Sequence, residues 1–217
     1  MSPPLPVVLL CGGGHAKVLW ETLMAGGSDI RGFTDLSSNC ALGRVVDGPE
    51  HLGDEWSWVD LDPTEVLMVN GLGSVRSPVA RERMWLLAKR CRPGGREPFR
   101  FARVIHPTAH LAAGVELGEG CQILARAVVQ VDARIGANTI INTGAQVDHD
   151  CVVMAHCHVA PGAVLSGGVT LAERVHVGTG ATIIQGIKVG FGATIGAGAV
   201  VVRDVPAGAL VVGVPAR

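Results

Sequence analysis

The sequence has almost no net charge, no cysteine pair with CxxC spacing and no long apolar run. Its net charge is −1 and its pI is about 6.7, so it lacks the basic character of proteins that bind nucleic acid or anionic membranes. No apolar stretch approaches the roughly 18 residues that a membrane span needs. The first residues, MSPPLPVVLL, lack the basic region of a signal peptide. We therefore expect a cytoplasmic protein.

The most prominent pattern in the sequence is a six-residue repeat. Between positions 105 and 201 every sixth residue is Leu, Ile or Val, and a second column of small or apolar residues lies two positions before it. This period fits neither a helix nor an alternating strand, and it is typical of the hexapeptide class of parallel β-helix. Three hexads, about 18 residues, predict one triangular coil, with coils stacked at about 4.8 Å.

The cysteines show no spacing typical of a metal site. Three of them fall in the second column of the repeat, where a thiol behaves as a small hydrophobic side chain. We expect free thiols with a packing role, and neither disulfides nor a metal site. The six cysteines are Cys11, Cys40, Cys91, Cys121, Cys151 and Cys157.

The residues before the repeat alternate between strand and helix patterns. Strands are predicted at 6–11, 30–34 and 65–69, and helices at 15–25 and 78–90. This alternation indicates a small parallel, Rossmann-like α/β domain. We predict an α/β domain over residues 1–103, a parallel β-helix over 104–205 and a C-terminal cap segment over 206–217, with residues 92–98 forming part of the connection. The expected apolar stripes are Val18, Leu19, Leu23 and Met24 in the first helix and Val79, Met84, Leu86 and Leu87 in the second, with Arg81 on another face.

A glycine-rich turn joins the first strand to the first helix. The backbone N–H groups of such a turn suit an anion such as a diphosphate, although the same turn also serves as a tight connection without a ligand. The dinucleotide fingerprint would need glycine where Lys17 stands, which argues against a nicotinamide cofactor. Asp35, after the second strand, suits a hydrogen bond to a ribose or a base, or equally a helix cap.

The segment 141–168 is more polar than the rest of the repeat. His149 lies two positions after the column residue Val147, at a corner, and is flanked by Asp148 and Asp150. A corner histidine beside a carboxylate can act as a general base, while a merely solvated corner residue is the alternative. Cys151 belongs to the inward column, so we do not expect it to be a nucleophile.

Several motifs in one order extend over almost the whole chain: GGGHAKV, FTD, HP, INTGAQVDHDC, HVAPGAVLSGGV and DVPAGALVVGVPAR. Together they resemble the left-handed β-helix sugar acetyltransferases, a family that groups sialic acid O-acetyltransferases with nucleotide-amino-sugar N-acetyltransferases. The resemblance implies His149 as the catalytic base, Asp150 as the acid that raises its basicity, and Asn142 facing the substrate. It further implies acetyl-CoA contacts at His158, Thr179 and Ala197, and a nucleotide-sugar pocket at Gly13, Gly14, His15 and Asp35.

The expected activity is therefore acetyl transfer from acetyl-CoA to the amino group of a nucleotide-linked 4-amino-deoxysugar, for bacterial surface glycan synthesis, without a metal. One alternative is O-acetylation of sialic acid or another sugar. A second is a γ-class carbonic anhydrase, because His158 and His176 lie one coil apart with His156 nearby. A non-catalytic scaffold is the third.

We also expect a homotrimer. One flat face of a single prism would expose an apolar wall, and three parallel prisms would bury it. The clefts between such prisms would provide room for acetyl-CoA.

Overall fold

The computed structural model describes residues 5–74, 78–90 and 97–217. Cys91 and most of the predicted connection at 92–98 lie outside the described residues. Within the described ranges, no helix is both long enough and apolar enough to cross a membrane.

The N-terminal region contains the predicted parallel sheet, in which β1 (Val7–Leu10) lies between β2 (Ile30–Thr34) and β3 (Leu67–Asn70). Each residue of β1 is buried, because the sheet is covered by helices and by the solenoid. A short 3₁₀ helix, Ser57–Asp60, lies between β2 and β3. The other elements are β1 (Val7–Leu10), α1 (Gly14–Ala25), β2 (Ile30–Thr34), β3 (Leu67–Asn70) and α2 (Val79–Ala88).

The faces that the two helices bury differ from the predicted apolar stripes. In α1, Val18 and Met24 are exposed, and the buried residues include Ala16 and Leu19. The difference is larger in α2, where the prediction was wrong, because the helix buries Arg81 and Glu82. Both charged side chains hydrogen-bond to the solenoid: Glu82 accepts from Arg174, and Arg81 donates to the carbonyl of Asn138 in addition to carbonyls of the N-terminal region.

Residues from 104 onward form a left-handed parallel β-helix of two-residue strands. The strands make three faces, which the chain visits in the order face 1, face 2, face 3. Face 1 has seven strands, face 2 has six and face 3 has five. Face 1 comprises β4 (Val104–Ile105), β7 (Gln122–Ile123), β10 (Ile140–Ile141), β13 (His158–Val159), β16 (His176–Val177), β19 (Thr194–Ile195) and β21 (Leu210–Val211). Face 2 comprises β5 (His110–Leu111), β8 (Val128–Val129), β11 (Gln146–Val147), β14 (Val164–Leu165), β17 (Thr182–Ile183) and β20 (Val200–Val201). Face 3 comprises β6 (Glu116–Leu117), β9 (Arg134–Ile135), β12 (Val152–Val153), β15 (Thr170–Leu171) and β18 (Lys188–Val189).

The predicted coil of 18 residues is confirmed by the strand pairing, in which Ile140 pairs with His158. The aliphatic column is buried from Ile123 to Val201 and forms one continuous core with the small column. Its first member is an exception, because Ile105 is 38% exposed. Ile105 lies in the first coil, which has a neighbouring coil on one side alone.

The last coil is shorter than the others. Val205 pairs with Val189 and Leu210 pairs with Thr194, so the register shortens from 18 to 16 residues. Strand β21 therefore continues face 1 into the segment that the sequence analysis assigned to the C-terminal cap.

The N-terminal region packs on the lower coils of face 1. Val104, Leu124 and Ile140 of the solenoid share a buried cluster with residues of β1 and α1. On the α2 side, the rings of Trp85 and Phe101 stack with centroids 4.1 Å apart. The upper coils of face 1 lie beyond this contact and form the floor of a groove.

Candidate active site

His149 lies at the corner between faces 2 and 3. Its Nδ1 is 2.7 Å from Asp150 Oδ2, and its side chain is 56% exposed. The hydrogen bond to Asp150, with a contribution from the charge of Asp148, raises the pKa of His149. Gly167 occupies the same corner one coil further, and a Cβ there would lie 2.5 Å from His149 Nε2. The imidazole thus has room to lie over Gly167 with Nε2 pointing away from Asp150.

Cys151 is unsuited to nucleophilic catalysis. It is fully buried in the small column, and its Sγ donates to the carbonyl of Ser166 at 3.2 Å. Burial raises the pKa of its thiol, which disfavours the reactive thiolate. The described cysteines are free.

The glycine-rich turn forms an open end to α1. Gly13 and Gly14 are exposed, and a Cβ at either position would meet no atom within 4 Å. No side chain caps the helix, so no capping side chain satisfies the first N–H groups of α1. Asp35 Oδ2 accepts the N–H of Gly12 at 2.7 Å, so this carboxylate also braces the turn. No helix follows Asp35 in the described residues before Ser57, which excludes the helix-cap reading.

His15, at the start of α1, is bound to the solenoid. Its Nε2 lies 2.8 Å from Gln122 Oε1, while Gln122 Nε2 donates to the carbonyl of Asn70 at 2.9 Å. The amide orientation of Gln122 therefore assigns the His15 proton to Nε2. Burial, helped by the nearby charge of Arg81, lowers the pKa of His15 to about 4. His15 is neutral at physiological pH.

A groove of about 740 Å³ runs along the upper coils of face 1 and the corner between faces 1 and 2. His158, Thr179 and Ala197, which the sequence analysis assigned to acetyl-CoA, all line it. Its lower end is bounded by Ser74, from the loop after β3, and its upper end by Leu210. Most of the remaining lining is small or apolar.

His158 has both ring nitrogens occupied within the protein. Nδ1 donates to the carbonyl of Ser74 at 2.8 Å, and Nε2 accepts from Asn142 Nδ2 at 3.0 Å. Burial, followed by the neighbouring His176, lowers the pKa of His158 to about 3. Asn142, predicted to face the substrate, is therefore a hydrogen-bond partner of His158 at the base of the groove.

The predicted residues fall into separate places. Gly13, Gly14, His15 and Asp35 cluster at the first turn of α1, and His158, Thr179 and Ala197 line the groove. His149 and Asp150 belong to the corner between faces 2 and 3, which in a three-faced prism lies opposite face 1. In one chain, the buried core separates the proposed base from the groove.

Arg81 is a residue of this region that sequence reasoning missed. It is 1% exposed, and its Nη1 donates to the carbonyls of Asn70 and Leu72, each at 2.7 Å. Its Nε donates to the carbonyl of Asn138 in the solenoid. Arg81 thus fixes the loop between Asn70 and Ser74 against face 1.

The histidines near face 1 do not form a metal site. No group of three or more His, Cys, Asp or Glu side chains suited to a metal ion occurs in residues 5–74, 78–90 and 97–217. His156 Nδ1 lies 2.9 Å from Asn138 Nδ2, and its ring meets Trp85 edge-on. The arrangement thus lacks the three convergent nitrogens that a catalytic zinc of the carbonic anhydrase type requires.

Comparisons with known proteins identify the family and agree with the fold. Residues 132–167 match the family model "Bacterial transferase hexapeptide (six repeats)". PerB from Caulobacter crescentus, solved with CoA and GDP-perosamine, is 36% identical with a TM-score of 0.85, and the match covers 98% of this chain and 96% of PerB. The chain belongs to the hexapeptide-repeat sugar acetyltransferases. Comparison with curated protein sequences gives no significant match.

Of two further structures, the first supports the assignment of this acetyltransferase to its family and the second supports the fold alone. The acetyltransferase domain of PglB from Neisseria gonorrhoeae, in complex with acetyl coenzyme A, is 33% identical over 99% of both chains, with a TM-score of 0.87. WeeI from Acinetobacter baumannii, at 24% identity over 99% of both chains and a TM-score of 0.82, shares the fold.

The buried neutral histidines predict a loss of stability in acid. An unfolded histidine has a pKa near 6.5, whereas His158 in the folded chain has a pKa of about 3. Between these values the unfolded chain binds more protons, so the stability is complete above about pH 6.5 and falls as the pH is lowered. The slope expected from His158 alone is about 1.4 kcal/mol per pH unit. Urea unfolding of the wild type and of His158→Gln at pH values from 7 to 4.5 measures the slope of the unfolding free energy with pH.

His158→Gln should flatten this pH dependence, whatever its effect on stability at pH 7. His110→Gln, which alters an exposed histidine of face 2, is the matched control and should keep the wild-type slope. Identical slopes for the wild type and His158→Gln would contradict a buried neutral His158.

Proposed function

We propose that this acetyltransferase transfers the acetyl group of acetyl-CoA to an amino group of a nucleotide-linked amino sugar. The observation that carries the proposal is the match over 98% of the chain to PerB, whose structure holds CoA and GDP-perosamine. The groove on face 1 supplies an extended apolar channel for the acyl donor. The open turn at Gly13 and Gly14, where α1 begins without a side-chain cap, suits a diphosphate through its backbone N–H groups.

In the proposed reaction the amine attacks the thioester carbonyl of acetyl-CoA directly. The C–N bond forms, the C–S bond breaks, and the CoA thiolate leaves with the bonding electrons. His149 Nε2 accepts the proton that the amine releases and can pass it to the thiolate, while Asp150 stabilises the imidazolium at Nδ1. The buried Cys151 takes no part, so no acyl-enzyme forms.

Because His149 and the groove lie on opposite sides of one prism, the proposed reaction needs a second copy of the chain. Face 2, next to the His149 corner, presents outward Val128, Val164 and Val200 without any charged residue between them in the coil stack. Face 3 instead presents the charged Glu116, Arg134 and Lys188. We propose a homotrimer in which face 2 is buried and each His149 reaches the groove of a neighbour.

An acceptor panel tests the substrate class. We expect thiol release from acetyl-CoA with UDP-, GDP- or dTDP-linked 4-amino-sugars, because remote binding of the diphosphate holds the amine near the thioester. Free and CMP-linked sialic acid should be inert, since neither carries a diphosphate for the turn at Gly13 and Gly14. Efficient transfer to sialic acid with no response to any amino-sugar nucleotide would instead assign O-acetylation.

A second experiment tests the role of His149. His149→Ala should lower kcat by about 10²- to 10⁴-fold, with acetyl-CoA affinity in calorimetry unchanged. A general base must be neutral, so kcat/KM should rise with pH through the raised pKa of His149 and then level off. Asp150→Asn should move this midpoint to lower pH, because the group that raises the pKa is removed.

Gly167→Ala is a useful companion variant, because its Cβ would lie 2.5 Å from His149 Nε2 and would displace the imidazole. It should lower kcat while retaining the acetyl-CoA affinity. Wild-type turnover in His149→Ala would remove this residue from the mechanism.

Mixed oligomers test the shared site. Light scattering should give three times the subunit mass, and His149→Ala and Ala197→Trp should each be inactive as homo-oligomers. When the two are co-expressed, about a quarter of the sites combine an intact groove from one subunit with an intact His149 from the next, and activity should return to that extent. Mixed oligomers without activity, or a stable monomer that is fully active, would refute the shared site.

A further inference from the structure

The groove contains a polar subsite that the assigned residues do not explain. His158 lines the groove, but the carbonyl of Ser74 and the amide of Asn142 already occupy its two ring nitrogens. It can therefore offer a ligand its ring surface and no hydrogen bond. Polar contacts at this end of the groove must come from other side chains.

Two neighbouring atoms are free to make such contacts. Ser74 Oγ and His176 Nδ1 are buried and have no hydrogen-bond partner in the part of the chain that the structure describes. Ser74 is 3% exposed, and both residues line the groove. Buried polar atoms normally have a hydrogen-bond partner. Two that lack one in a ligand groove therefore point to a group on the ligand that bonds to both.

Ser74 and His176 both lie next to His158. Ser74 touches His158 through its carbonyl, 2.8 Å from Nδ1. His176 lies one coil above His158, with ring centroids 5.0 Å apart in an edge-to-face arrangement. The two residues that carry the free atoms therefore both contact His158, at the end of the groove next to the N-terminal region.

We propose that Ser74 and His176 bind the amide of the pantetheine arm nearest the thioester sulfur. The Ser74 hydroxyl donates to the amide carbonyl, and His176 Nδ1 accepts the amide N–H. The proposal rests on the proposed function in one respect, that the groove holds acetyl-CoA. The amide contact would orient acetyl-CoA with its thioester toward the N-terminal region and its nucleotide toward Leu210.

A secondary amide fits this subsite better than the other groups of the donor. It offers an acceptor and a donor on adjacent atoms, whereas a thioester carbonyl is an acceptor alone. A phosphate would bring a charge into a mostly apolar wall, where burial of an unpaired charge is unfavourable. Burial lowers the pKa of His176, consistent with a neutral ring that can accept.

Two small acyl donors distinguish the loss of this amide contact from a general loss of activity in a variant. S-acetyl-N-acetylcysteamine keeps the amide, and S-pentyl thioacetate replaces it with methylene groups at about the same length. For the wild type, kcat/KM should be higher with the amide donor. Ser74→Ala should lower kcat/KM for acetyl-CoA and for the amide donor by about 2- to 10-fold, the usual value of one net hydrogen bond, and leave the alkyl donor unchanged.

His176 is tested in the same way and independently of Ser74. His176→Phe keeps a ring without Nδ1, and its kcat/KM should fall for the amide donor alone. His176→Asn, with a polar atom near the Nδ1 position, should retain more of the kcat/KM for that donor. The matched control is Ser28→Ala, which removes a hydroxyl in the turn after α1 and should not change either donor.

Equal losses with both donors, or no loss with either, would overturn the subsite. If no amino-sugar nucleotide accepts an acetyl group, the proposed function fails in its acceptor while the subsite is still tested by calorimetry. Ser74→Ala and His176→Phe should then weaken acetyl-CoA binding, and N-acetylcysteamine should displace it better than pentanethiol. If the wild type binds no acetyl-CoA, both proposals fall.

Discussion

Up to the shorter last coil, each coil of the prism pairs with the next at a spacing of 18 residues, as Ile140 does with His158 and Val159 with Val177. In such a stack each side chain lies on the residue one coil away, so the chemistry of one position depends on its neighbours along the axis. His149 can lie flat because the next residue in its column is Gly167. His158 meets His176 for the same reason. The register that builds the core also decides which functional groups meet.

The fold gives its histidines opposite environments. His149 is exposed and lies against a carboxylate, which raises its pKa and equips it to hold a proton. His15 and His158 are buried near Arg81 or another histidine, which lowers their pKa values to about 4 and about 3. Titratable groups whose environments move their pKa values in opposite directions have different roles. His149 is suited to proton transfer, and the other two act as fixed neutral hydrogen-bonding groups.

Periodic features of this chain were predictable from sequence, and contacts between its two regions were not. The hexad column predicted the core, and counting from Val147 placed His149 at an outward corner, because both follow from a local repeat. Arg81 was assigned to a polar helix face, yet it is buried, since its partners are carbonyls of Asn70, Leu72 and Asn138 that only the folded chain brings to it. Ser74 belongs to no recognised motif, and the sequence drew attention to His176 only as a possible zinc ligand. Their free atoms become apparent only once the bonds of His158 are known.

The loop from Asn70 to Ser74 links the two sites that the proposed reaction would use. The carbonyl of Asn70 accepts from Arg81 and from Gln122, which holds His15 at the glycine-rich turn. The carbonyl of Ser74, at the other end of the loop, fixes His158 in the groove. Moving this loop would break hydrogen bonds at both sites and deprive the buried guanidinium of Arg81 of its two loop carbonyls, which is costly. This bonding favours a preorganised active site, in which donor and acceptor meet because the loop is already fixed.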